Sequence, residues 1–74
     1  MTKEEAKKKI EDTLTKMVCT DVSFEDSADD LIVVTFNCKA VTSFVADIHG
    51  WTYSGIHLDP TGKRQYRIDF KKGQ

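Results

Sequence analysis

The residues able to do chemistry in this chain are few. They are His49, His57, Cys19 and Cys38, with scattered carboxylates and hydroxyls. Two thiols and two imidazoles are in principle a zinc-ligand set. Their spacing, C-x18-C-x10-H-x7-H, follows no finger or ribbon pattern, in which ligands come as close pairs around a turn. Asp47 near His49, and His57 near Asp59, each set a carboxylate close to an imidazole, as an oriented general base requires. Ser54 and Tyr53 are the nearest hydroxyl nucleophiles. No strained elbow or oxyanion loop accompanies them, because the glycines stand singly at turns or inside a strand. Turn polarity accounts for His49 and Asp59. Asp26, Asp29 and Asp30 offer oxygens to a cation, but the segment is too short for an EF-hand loop and lacks its central glycine and terminal glutamate. The expectation is a protein without catalytic, metal or cofactor sites.

The elements that would hold these residues are more legible. At 74 residues with 39% hydrophobic and 31% charged content, the chain is one domain, 1–74, of globular rather than disordered type. A core this small leaves a marginal monomer, so further burial by association would matter. A net charge of −1 argues against sequence-independent nucleic-acid binding. No apolar run has membrane-spanning length, and MTKEEAKKKI lacks a signal-peptide core, so a cytoplasmic location is expected. Two cysteines suit a reducing compartment.

Thr2–Val18 reads as a helix. Thr2 and Glu5 make a T-x-x-E capping box. Ala6, Ile10, Leu14, Met17 and Val18 form one narrow apolar stripe opposite Lys7, Lys8, Lys9, Glu11 and Asp12. Cys19–Glu25 alternates as a strand, and 26–30 is a polar turn. Leu31–Ile48 is the densest β-branched and aromatic stretch. It reads as two strands folded at Asn37-Cys38-Lys39, or as one long bent strand. His49-Gly50 and Asp59-Pro60-Thr61-Gly62 read as further turns. Gly55 suggests either close packing under Tyr66 or a bulge. Tyr66, Ile68 and Phe70 alternate with outward charges in the final strand. The predicted fold class is α+β: an N-terminal helix packed on one face of a four- to five-stranded antiparallel meander, in the order α-β-β-β-β-β. In outline this resembles cystatin-like folds. The Q-x-V-x-G hairpin that carries cystatin function is absent, and nothing about function carries over.

Following side-chain parity through these turns puts Ile32, Val34, Phe36, Phe44, Ala46 and Ile48 under the helix, with Trp51 and Tyr53 joining them. Leu31, Val33, Val41, Val45, Ile56 and Leu58 are left on the opposite face with no cover, a pattern typical of an interface. The same parity sets Cys19 and Cys38 near each other but on mismatched faces, which disfavours a disulfide. The functional expectation is a small non-enzymatic accessory or inhibitor-type protein, of a kind a phage could encode. It would bind a protein partner or a second copy through that apolar face. The alternative is a nucleic-acid-binding hairpin using Lys63, Arg64, Arg67 and Lys71, with Trp51, Tyr53, Tyr66 and Phe70 as a stacking platform.

Overall fold

The computed structural model describes residues 1–25, 28–41 and 43–73. One helix, α1 (Lys3–Lys16), precedes five strands: β1 (Cys19–Glu25), β2 (Leu31–Cys38), β3 (Trp51–Tyr53), β4 (His57–Leu58) and β5 (Tyr66–Lys72). The class is α+β, with the helix packed on an open, five-stranded antiparallel sheet.

The capping box forms as the sequence implies. The Thr2 hydroxyl accepts from the Glu5 amide at 3.2 Å, and the Glu5 carboxylate accepts from the Thr2 amide at 2.9 Å. The bond from the Thr2 amide, followed by that of the Thr2 hydroxyl to the carboxyl, holds the Glu5 carboxyl below its usual range. Ala6, Ile10 and Leu14 are fully buried against the sheet. The helix stops at Lys16, short of the expected Val18, because Val18 takes φ 60° and turns the chain into β1. That region is costly for a β-branched residue.

The order α-β-β-β-β-β is present, but no described residue of 41–48 forms the expected third strand, the strand after Gly50 is split into β3 and β4, and the sheet is not the expected meander. The sheet runs β1-β2-β5-β3, with β4 also pairing β5. Six register pairs join β2 to β5, among them Ile32–Phe70, Val34–Ile68 and Phe36–Tyr66. With β1 on one edge of β2 and β5 on the other, no place remains for a hairpin partner from residues 41–48. Asn37-Cys38-Lys39 is accordingly not a hairpin loop, since β2 continues through Cys38. Its end is sealed by side chains imitating a strand ladder. Asn37 Oδ1 accepts from the Gln65 amide at 2.8 Å, and Gln65 Oε1 accepts from the Cys38 amide at 3.0 Å.

The segment after β2 is irregular and works as a second cover on the helix side. Phe44 and Ile48 are buried in the core, with Val41 and Ala46 packed against it. Tyr53 pins the segment: its hydroxyl accepts from the Ala46 amide at 3.2 Å and reaches the Phe44 and Ala46 carbonyls at 3.1 and 3.3 Å. The rings of Phe44, Tyr53 and Phe70 meet at centroid distances of 5.1–5.6 Å, within the range favoured by aromatic pairs. The turn at His49-Gly50 is present, closed by the Trp51 amide to the Ile48 carbonyl at 2.9 Å, with Gly50 at φ 86°.

Two β-bulges reset the parity of the edge strands. In β1 the register passes from Thr20–Asn37 to Ser23–Thr35, so Asp21 and Val22 together oppose Phe36. Asp21 adopts φ 58° to make this possible. On the far edge, β3 and β4 form one interrupted strand along β5. The register moves by one residue between Tyr53–Phe70 and His57–Arg67. Gly55, at φ 132°, lies in the break. A Cβ there would meet nothing within 4 Å, so the glycine serves the bulge and not close packing.

Candidate functional site

The sheet has one face covered by α1 and the 41–48 segment and one face without an overlying helix. The open face is built from the odd positions of β2 and β5. Val33 stands at its centre, between its cross-strand neighbours Glu25 on β1 and Asp69 on β5. Leu31 and Thr35 lie before and after it, opposite Lys71 and Arg67. Leu31, Val33 and Thr35 form the floor of a depression of about 330 Å³, walled by Glu25, Lys63, Arg67 and the turn residues Asp59 and Thr61. Val33 is only 5% exposed, the flanking charged side chains enclosing it.

The wall on the β4–β5 side is held rigidly. Asp59 is the organiser of the turn. Its carboxylate accepts from the Thr61 amide and hydroxyl at 3.0 and 2.9 Å and from the Arg64 amide at 3.0 Å. The bond from the Arg64 amide, followed by those from Thr61, holds its carboxyl below the ordinary aspartate value despite burial. The Gly62 amide bonds the Asp59 carbonyl at 3.1 Å, as the sequence predicts for D-P-T-G, although five residues rather than two separate the last paired positions, Asp59 and Gln65. Arg64 reaches back across the sheet, donating from Nε to the Asp21 carbonyl at 2.7 Å and from Nη1 to the Thr35 hydroxyl at 3.4 Å. Arg67 Nε meets Asp69 Oδ1 at 2.7 Å, and that bond raises the guanidinium pKa.

The six residues expected to form one apolar patch do not come together. Leu31 and Val33 are adjacent on the open face. Val41 packs against the core from the irregular segment. Val45 lies outside the sheet and is 79% exposed. Ile56 and Leu58 are turned to the helix side by the bulge at Gly55: Ile56 packs on the core, and Leu58 pairs with Tyr66 at the sheet edge, 77% exposed. The assignment of Val41, Val45, Ile56 and Leu58 to the open face is therefore corrected. The apolar part of that face is a narrow strip framed by charge, in place of a broad aliphatic surface.

The four basic residues of the alternative reading are dispersed. Arg64 is drawn to Asp21 and Arg67 to Asp69. Lys63 and Lys71 are exposed on the open face, interleaved with Glu25, Asp59 and Asp69. Trp51 and Phe70 are buried and Tyr53 and Tyr66 pack against the core, so these rings offer no stacking platform.

The candidate catalytic pairs resolve unevenly. Ser54 Oγ lies 3.1 Å from His57 Nε2 at the bulge. Both are exposed, and among the described residues no carboxylate bonds the imidazole; Asp59 is engaged in its own turn. His49 and Asp47 are exposed, with no described contact between them. Among the described residues, no group of three or more His, Cys, Asp or Glu side chains is placed to share a metal ion. Asp26 lies outside the described residues. No helix among them is long and apolar enough to cross a membrane.

The two cysteines are the site that parity misplaced. The bulge at Asp21 turns Cys19 to the helix side, directly opposite Cys38, and both are buried. Burial, then the hydrogen bond and charge of Cys38, push the Cys19 thiol up to about 12. The sequence carried little warning, since aspartate tolerates a left-handed φ but does not announce one.

Comparison with protein-family models, with curated proteins and with solved structures finds no match for this chain.

Proposed function

We propose that this chain is a non-enzymatic protein-binding module acting in the cytoplasm, that its contact surface is the open face of β1, β2 and β5, and that the partner is a second copy of itself. The observation carrying this reading is the arrangement of charge about the Leu31–Val33 strip. Glu25 borders it on the β1 side, and on the β5 side Lys71 stands opposite Leu31, while Arg67 and Asp69 are bonded to each other beside Val33. A two-fold interface needs a self-complementary patch. Turning one copy over another would set Glu25 against Lys71 of its mate, with the apolar strips in register. The small core supports the reading, because a chain this short gains most from burial by association.

The test is sedimentation equilibrium over a concentration series. Wild type should approach twice the chain mass of 8.4 kDa. Glu25→Lys and Lys71→Glu should each weaken association, and the two together should restore it. Val45→Asp, outside the sheet, should leave it unchanged. A wild type that stays monomeric at the highest soluble concentration overturns the proposal.

A further inference from the structure

We infer that Cys19 and Cys38 form a reversible dithiol–disulfide latch between the start of β1 and the end of β2. The inference rests on strand geometry and is independent of the open face. The two residues are direct register partners on antiparallel strands, on the same side of the sheet. The Cys38 amide donates to Gln65 Oε1 on the β5 side, so it points away from β1. This makes Cys19–Cys38 a non-hydrogen-bonded pair, in which Cα atoms stand about 4.5 Å apart and side chains approach most closely. That separation lies inside the range of roughly 4.4–6.8 Å spanned by disulfides. Without the Asp21 bulge, Thr20 would face Cys38 and Cys19 would point to the open face. The bulge, held at φ 58° by a residue that must accept strain, is what brings the thiols together.

Both cysteines are nearly covered, Cys19 at 9% and Cys38 at 5% exposure, and Cys38 lines a surface cleft of about 300 Å³ with Val18, Thr20, Asn37, Lys39 and Gln65. Cys38 Sγ also lies 3.6 Å from the Met17 carbonyl at the end of α1, so the latch sits where the helix joins the sheet. Glutathione disulfide is an oxidant of suitable class. The Cys38 thiolate attacks one of its sulfurs and expels one glutathione thiolate. The Cys19 thiolate then attacks the Cys38 sulfur of the mixed disulfide and expels the second. Two cysteine S–H bonds and one glutathione S–S bond are lost; one protein S–S bond and two glutathione S–H bonds form. The cysteines lose two electrons and glutathione disulfide gains them.

The folded protein is incubated with glutathione disulfide, quenched with acid, alkylated and mapped by mass spectrometry. The expected product is a monomer lighter by two hydrogens, with one linked peptide pair joining Cys19 to Cys38. Its thermal midpoint should be several degrees higher, and dithiothreitol should reverse both changes. Cys19→Ala should stop at a mixed disulfide on Cys38. Glutathione retained on Cys38 of the wild type, intermolecular disulfides, or thiols that react only after denaturation would each overturn the inference. The wild-type map decides the matter even where the variant fails to fold.

Discussion

The two faces of the sheet draw on alternate residues of the same strands yet are built from different chemistry. On the covered face, Ile32, Val34 and Phe36 of β2 meet Phe70, Ile68 and Tyr66 of β5, and the helix and the 41–48 segment complete the enclosure. On the open face, Leu31, Val33 and Thr35 meet Lys71, Asp69 and Arg67. Val33 is nearly as hidden as Val34, but its surroundings are charged side chains in place of packed apolar ones. The covered face is where stability resides, and the open face is where binding is proposed. A substitution should therefore reveal its face by which of the two it damages.

The largest effect is expected from Phe36→Ala, which empties the centre of the covered face. It should cost about 3–5 kcal/mol in denaturant unfolding, enough to unfold much of a small domain. Tyr53→Phe should cost about 1–2 kcal/mol by leaving the Ala46 amide without its acceptor. Faster amide exchange along 43–48, with strands β2 and β5 little changed, would identify that loss as local.

Asp59 tests the wall of the open face through pH. Its folded pKa is depressed, so its carboxylate stabilises the fold fully above the unfolded aspartate pKa. That contribution is lost as pH falls through the lower folded value. Asp59→Asn should destabilise at neutral pH, and its difference from wild type should shrink in acid. A pH-independent difference would show that the turn needs the shape of the side chain and not its charge. Arg67→Ala should have the smallest effect on stability, below about 1 kcal/mol, because its pair with Asp69 is partly exposed. Its effect on association should be larger than its effect on folding.

Much of the covered face was legible in the sequence. The capping box, the Ala6-Ile10-Leu14 stripe and the alternation of Tyr66-Arg67-Ile68-Asp69-Phe70 are local signals, and each is decided by residues within a turn or a strand. Parity counting failed where the chain inserts an extra residue. Gly55 signalled such a place, although its effect on Ile56 and Leu58 required knowing that the bulge forms. Asp21 gave no comparable signal, and the consequence for Cys19 was lost with it. The partner of β2 was also hidden, because Phe36 to Phe44 and Phe36 to Tyr66 satisfy the same alternation. Which one pairs is decided by β5 occupying the edge of β2, a long-range contact that local pattern does not encode. Residues 41–48 have the composition of a strand, yet the described ones lie outside the sheet, and the Ala46 amide finds its partner in the Tyr53 hydroxyl.

The most direct test of the central claim is the sedimentation-equilibrium charge swap across the open face. The expected result is association by wild type, loss of it in Glu25→Lys and in Lys71→Glu, and recovery when both are combined. Monomeric wild type, or a double variant no better than either single one, would contradict binding through this face.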